Sequence, residues 1–251
     1  MSFDVEQHVR YKIANAPVQR FPFAHFYIRD VFPEDYYRAL LAHLPPTEAY
    51  TPISETGSVS AGAYESRFVL DLEEIAEIDV ASGPDAPWPP LQDWMMNESF
   101  ARFMVGKFRP AIEERFGAGS QLSLTTDCRL VRDFTRYAIK PHTDTETKLV
   151  SLLFYMPKDA SMSHLGTSIY APSDPEFRSD GSKHFSSAGF RQMARMEYQP
   201  NSLFGFVRTD FSFHGVERIT DPEVERNLVL YNIYVPRVTV PPRKPKASAD
   251  T

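Results

Sequence analysis

The 251-residue chain has a single cysteine, Cys128, so no intramolecular disulfide can form, and the expected setting is a reducing cytoplasm. It has no apolar run near the roughly 20 residues of a membrane span. Its first residues, MSFDVEQHVRYK, lack the apolar centre of a signal peptide. It is short of positive charge: 27 Lys and Arg against 33 Asp and Glu give a formal charge of −6, which argues against broad nucleic-acid affinity. There is no internal repeat. Aromatic side chains are plentiful, and 19 Phe and 12 Tyr suffice for a large core. The expectation is a soluble cytoplasmic protein with one domain over residues 1–240 and a polar, disordered tail over 241–251.

Residues 21–32 (FPFAHFYIRDVF) alternate like a strand, and Pro33 with Glu34-Asp35 then opens a helix whose apolar positions are Tyr37, Leu40, Leu41 and Leu44. A flexible run is expected at 55–62 and a Pro-rich break at 84–90. A second helical stretch is expected over 91–116, striped by Phe100, Phe103, Met104, Phe108 and Ile112 and stopped by Gly117. Beyond residue 121 come short apolar runs: 122–131, 149–156, 168–171, 202–207 and 227–235. This is the texture of a β-sandwich, jelly roll or barrel. Residues 157–200, rich in turn formers, read as a lid or substrate loop with a short helix near 189–196.

The chemistry is concentrated in Pro141-His142-Thr143-Asp144-Thr145. On a strand, residues two apart share a face, so His142 and Asp144 project together. His214 follows the apolar run FGFVRTDFSF, and from a neighbouring strand it would complete two histidines and a carboxylate on one side of a metal, the facial triad of non-haem iron oxygenases. The plain alternative is two half-buried histidines and a turn aspartate. Arg226 opens the last apolar strand. It either binds an anion in a dry pocket or pairs with Glu223 or Glu225, and spacing does not separate the two. Arg132 and Lys148 read as solvent-facing charges, Cys128 as core, and Tyr137 as an ordinary strand aromatic.

The succession PHTDT, LVSLLFYM, LGTSIY, FSFHGVERI and RNLVLYNIYV resembles the iron(II)/2-oxoglutarate-dependent dioxygenase superfamily, and RFPFAHFYIRDVFPEDYY is similar to the opening of many bacterial members. The resemblance spans about residues 20–237, with its specific part in 135–237. It implies a mainly β (α+β) fold: a double-stranded β-helix (jelly-roll) core with N-terminal helices packed against it. It also implies Fe(II) on His142, Asp144 and His214, and 2-oxoglutarate held at its far carboxylate by Arg226 with Tyr155. The activity implied is O2-dependent hydroxylation of a small molecule's unactivated C–H bond, yielding succinate and CO2. Related halogenases lack the carboxylate ligand, so Asp144 favours hydroxylation, desaturation or ring formation. Two features depart from the family: Leu228 stands where many members have Ser, and RDFTRYAIK lacks a common Tyr-x-x-Gly spacing. The alternatives are a cupin-type enzyme using another metal, a non-catalytic jelly-roll binding protein, or an oxygenase acting on a protein. A homodimer is left open. Selectivity is expected from residues 47–90 and 157–200, where His164, Thr167, Tyr170 and His184 are available for contacts.

Overall fold

The computed structural model describes residues 4–57, 59, 64–78, 85–181 and 183–236. Its strands are β1 (His25–Arg29), β2 (Thr51–Pro52), β3 (Arg67–Asp71), β4 (Thr125–Phe134), β5 (Ile139–His142), β6 (Lys148–Tyr155), β7 (Thr167–Pro172), β8 (Phe190–Met196), β9 (Ser202–Val207), β10 (His214–Val216) and β11 (Glu225–Tyr234). They form two antiparallel sheets, one ordered β1-β9-β6-β11-β4-β3-β2 and the other β5-β10-β7-β8. Strands β4 to β7 alternate between the sheets, β7 and β8 form a hairpin in the smaller one, and β8 to β11 alternate back, the order that makes a jelly roll. The expected fold is present, with β1 extending one edge of the larger sheet and β3 and β2 the other.

Period-two burial explains this architecture. Along β11, Val229, Tyr231 and Ile233 join one apolar cluster, while Leu228 and Leu230 point the other way into a second. In β6, Val150, Leu152 and Phe154 join the first cluster and Leu153 and Tyr155 the second. The first cluster lies between the larger sheet and the helices, and the second fills the space between the sheets. A strand buried on both faces is nearly continuous in apolar residues, each fully buried one contributing roughly 1.5–3 kcal/mol. Gly205 on β9 has no room for a side chain, because a Cβ there would lie 2.5 Å from the Phe26 ring.

Among the described residues, five α-helices cover the first cluster: α1 (Val5–Asn15), α2 (Glu34–Ala42), α3 (Trp88–Met95), α4 (Glu98–Lys107) and α5 (Arg109–Phe116). The expected helix over 91–116 is therefore three. Asn97 caps α4, accepting the Ser99 amide at 2.8 Å, and Pro110, which has no N–H to donate, restarts the chain as α5 after Phe108. Pro89 and Pro90 fall in the first turn of α3, where a missing N–H costs nothing. Helix α1 was not expected; Asp4 caps it, and Val9 and Ile13, four apart, bury its inner face. Residues 190–196 are strand β8 and not a short helix. With β7 and β8 inside it, the segment 157–200 builds half of the smaller sheet, and only the stretches between strands remain as loops. Part of the expected flexible run (58 and 60–62), the start of the Pro-rich break (84) and the tail 241–251 lie outside the described residues. Among the described residues, no helix is long and apolar enough to cross a membrane.

Candidate metal centre

Strand β5 ends at His142 and β10 begins at His214, and the two residues are partners in the antiparallel register. Their imidazole centroids are therefore only 4.3 Å apart. Asp144 follows two residues after His142, and one ligand atom from each of the three lies within 4.8 Å of the others. Each imidazole is fixed from behind, since Nδ1 of His142 faces the Lys140 carbonyl and Nδ1 of His214 the Ser212 carbonyl, both at 3.0 Å. A carbonyl can only accept, so Nδ1 carries the proton and Nε2 presents a lone pair, the tautomer a metal requires. Burial pushes both imidazoles below their ordinary pKa, well below for His142, which keeps them neutral.

Asp144 is held in the opposite state. Burial alone would raise its pKa, but the Lys148 ammonium, foremost among the groups around it, outweighs burial and holds it well below the usual carboxylate range. Lys148 Nζ lies 3.2 Å from Oδ1, and Ser151 Oγ donates to Oδ2 at 3.0 Å. The backbone is gripped as well: Arg208 Nε donates to the Asp144 carbonyl at 3.1 Å. Gly181, with φ +84°, packs so close that a Cβ there would meet that carbonyl oxygen at 2.1 Å. Two neutral imidazoles and one ionised carboxylate, nearly buried together, are a donor set that fits a divalent transition metal.

The trio lines an inner cavity of about 130 Å³ whose other walls include Arg67, Tyr137, Thr167 and Arg226. Arg226 is fully buried. Its Nη1 donates to Asp133 Oδ2 at 2.7 Å and its Nε to the Leu165 carbonyl at 2.7 Å, whereas Nη2 has no partner. The sequence offered Glu223 or Glu225 as the ion-pair alternative, and neither pairs with it. Both are exposed, because Arg226 points inward opposite Asp133 in the β11–β4 register. Asp133 also takes a two-pronged bond from Arg67, with Nε at 2.6 Å and Nη2 at 2.9 Å. Two guanidiniums on one buried carboxylate leave one positive charge uncompensated beside an open N–H.

Tyr137 lines the cavity with its hydroxyl unpartnered and its ring 4.2 Å beneath the Arg67 guanidinium, so it is more than an ordinary strand aromatic. Tyr155 stands one layer back: it donates to Thr167 Oγ1 at 2.7 Å, and Thr167 is the residue that faces the cavity. Lys148 and Arg132 are not solvent-facing. The first holds Asp144, and the second is buried with Asn227 Oδ1 at 2.8 Å and Thr47 Oγ1 at 2.7 Å. Cys128 is buried core. Among the loop histidines, His184 sits at the mouth, its ring 4.5 Å from that of His142 and its Nδ1 2.7 Å from the Tyr64 hydroxyl. His164 instead faces Asp221, and Tyr170 donates to Glu217. Asp133 and Arg67 were missed in the sequence; the signal that could have found Asp133 is its inward position on β4, two residues along from Val131.

No protein-family description matches this chain, and no curated protein is similar to it. Several solved structures resemble its fold. A Pseudomonas putida prolyl-4-hydroxylase is 16% identical over 91% of this chain and 97% of its own, with a TM-score of 0.48. HygX from Streptomyces hygroscopicus, solved with nickel and 2-oxoglutarate bound, is 10% identical over 84% and 82%, with a TM-score of 0.46. The non-haem alpha-ketoglutarate-dependent epimerase SnoN from nogalamycin biosynthesis is 11% identical over 91% and 80%, with a TM-score of 0.48.

Proposed function

We propose that this chain is an iron(II)- and 2-oxoglutarate-dependent oxygenase, one domain over residues 1–240, that oxidises an unactivated C–H bond of a small molecule. The observation that carries this reading is one cavity lined by both a buried His-Asp-His trio and the unpartnered guanidinium nitrogen of Arg226. A site for a metal alone has no use for a buried cation with an open N–H, whereas a site for a metal and a dicarboxylate needs both.

His142, His214 and Asp144 would hold the metal through Nε2, Nε2 and a carboxylate oxygen. When bound, Fe(II) with 2-oxoglutarate and O2 supplies the oxidising power, releasing succinate and CO2. Ser151 keeps one oxygen of Asp144 occupied, so the carboxylate is presented in a fixed orientation. Arg226 Nη2 is placed to bind the far carboxylate of the co-substrate, with the Tyr137 hydroxyl as a second donor on the same cavity. Tyr155 fixes Thr167. Leu153, Phe206, Val216 and Leu228 wall the cavity with apolar surface and limit water around the reacting centre. With Leu228 where many members of that superfamily have Ser, the unpartnered Tyr137 hydroxyl on the same cavity is available to take over that contact.

The test is anaerobic loading with Fe(II) and 2-oxoglutarate, with metal stoichiometry, co-substrate affinity and succinate formation measured separately. One iron per chain is expected, lost in His142→Ala and in His214→Ala. Full iron stoichiometry in either variant would refute the metal assignment, and unaltered 2-oxoglutarate affinity in Arg226→Ala would refute the anchor.

A further inference from the structure

The inward face of the larger sheet carries a sequence of cross-strand rows that the proposed chemistry does not use up. Nearest the buried end is Arg67–Asp133–Arg226. Two apolar rows follow, Val69–Val131–Leu228 and then Leu230–Leu153, the second flanked by the Asp71–Arg129 pair. The next row is polar again: Asp127–Asn232–Ser151. Six residues of strand separate Arg226 from Asn232, about 20 Å, so the polar row is remote from the buried guanidiniums. Its Asp127 and Asn232 line an outer cavity of about 380 Å³ that shares Arg67, Ile139, His142, Asp144, Lys148 and Leu230 with the inner one, and Ser151 lines the inner one.

The row contains a carboxylate with no ion-pair partner among the described residues and an amide oxygen with no hydrogen-bond partner. Asp127 receives hydrogen bonds from neutral donors only, Asn232 Nδ2 at 2.7 Å on Oδ1 and the Tyr234 hydroxyl at 2.9 Å on Oδ2. Every cation lining that cavity is committed elsewhere: Arg129 to Asp71 at 2.6 Å, Lys148 to Asp144 at 3.2 Å and Arg67 to Asp133 at 2.6 Å. Among the described residues, no cation pairs with Asp127. Beside it, Asn232 is 3% exposed, yet its Oδ1 has no partner at all. An unpaired carboxylate and an orphaned amide oxygen on one wall are satisfied by a ligand group with positive charge and more than one N–H. An ammonium has three donors, a hydroxyl has one, and a carboxylate has none and is repelled.

We infer that the outer cavity takes a substrate bearing a protonated amine, received by the Asp127 carboxylate and the Asn232 amide oxygen. The identity of the cavity as the substrate site rests on the oxygenase reading above, but the amine contact itself does not need the metal. Ser151 belongs to both arrangements, holding Asp144 on one side and standing next to Asn232 on the other. The bound amine therefore lies against the wall that supports the metal's carboxylate, and the carbons attached to it are brought toward the reacting centre.

The protein is examined by ligand-observed NMR titration with four probes: glucosamine against N-acetylglucosamine, and hexylamine against hexan-1-ol. Metal stoichiometry is measured on the same samples. The amines are expected to bind at least about tenfold more tightly than their neutral counterparts. Asp127→Asn should remove that preference, and Asn232→Ala should reduce it with Asp127 intact. If Asp127→Asn fails to fold, the wild-type probe comparison and Asn232→Ala decide the question. Equal binding within each probe pair, no amine binding, or full amine preference in folded Asp127→Asn would overturn the inference. Loss of the oxygenase reading would show differently, as absent iron with amine preference intact.

Discussion

Asp133 sits beneath Arg226 at zero exposure and accepts three charge-assisted hydrogen bonds, of 2.6 and 2.9 Å from Arg67 and 2.7 Å from Arg226. Asp133→Asn removes the only negative charge in this cluster and leaves two guanidiniums facing each other in a dry site. Breaking a buried pair in this way costs about 3–5 kcal/mol. For a chain of this size each kcal/mol moves the melting point by about 2–4 °C, so a fall of roughly 6–20 °C is expected. Arg226→Met keeps the stem's volume and leaves Asp133 with Arg67's two-pronged bond. It forfeits the bonds to Asp133 and Leu165 but also removes an unpartnered donor, so a smaller loss of about 1–3 kcal/mol is expected. The ligand responses should run the other way. Asp133→Asn retains both cations, so 2-oxoglutarate should raise its melting point at least as much as that of the wild type. Arg226→Met should weaken 2-oxoglutarate by about 2–5 kcal/mol, from some thirtyfold to several thousandfold. Thermal unfolding by circular dichroism, with and without 2-oxoglutarate and a redox-inert divalent metal, reads both effects. If Asp133→Asn melts with the wild type, or Arg226→Met keeps its affinity, the electrostatic account of this row is wrong.

The metal-free protein should weaken as pH falls from 7 to 5. The folded pKa values of His142 and His214 lie below the unfolded value near 6.5, so the unfolded chain binds more protons in that window, and stability, complete above about 6.5, drops by up to about 1.4 kcal/mol per histidine per unit. Denaturant titrations across this range check it, and a flat profile would contradict it; Asp144, depressed in pKa, should add its own loss only below about pH 4. Gly181→Ala combines a φ of +84° with a Cβ 2.1 Å from the Asp144 carbonyl. It should cost about 1–3 kcal/mol and displace Asp144, so that calorimetric metal titration shows weaker binding; unchanged affinity would count against the proposed grip. Lys148→Met removes an ammonium that competes with a metal for Asp144 Oδ1. The metal-free protein should lose about 1–3 kcal/mol while metal binding tightens several-fold, and weaker metal binding would show that Lys148 supports the metal instead.

How much of this was legible in the sequence depended on whether the pattern was local. RNLVLYNIYV reads as a strand because both faces are buried, and His142-Thr143-Asp144 reads as a pair because period two is a property of three residues. The helices from 88 to 116 were harder. Their apolar positions continue across the breaks, and only Asn97 and Pro110 betray where the chain turns. In β8, Gln192, Met193, Ala194 and Arg195 are good helix formers, and a register shift opposite Ile169/Tyr170 disrupts the alternation that would have marked a strand. Arg67 was hidden for a different reason. It lies 66 residues before Asp133, in a stretch without clear periodicity, and nothing before the β3–β4 register is known places it in the cluster. Arg226 illustrates the same limit. Its need for an anion was readable, but the two nearby glutamates were decoys, since sequence distance says little about which residue stands across a sheet.

A carboxylate beneath an anion site would at first sight oppose its purpose, because Asp133 repels the ligand that Arg226 is there to bind. The bonding pattern resolves this. With Nη1 tied to Asp133 and Nε to the Leu165 carbonyl, the guanidinium plane is fixed and only Nη2 remains directed elsewhere, so little rotamer freedom is lost when a ligand arrives. Asp133 alone would neutralise Arg226 and reduce its attraction for a second carboxylate. Arg67 restores the excess by occupying the remaining capacity of Asp133, and its stacking on Tyr137 keeps it from turning outward. The three residues act as one rigid cation of unit charge, with Arg226 Nη2 as its buried, unpartnered donor. At the other end of the same sheet face the sign is reversed, with Asp127 unpaired beside an amide oxygen. Two apolar rows separate the ends, so on the inference above a molecule's charge decides which of the two adjoining cavities it occupies.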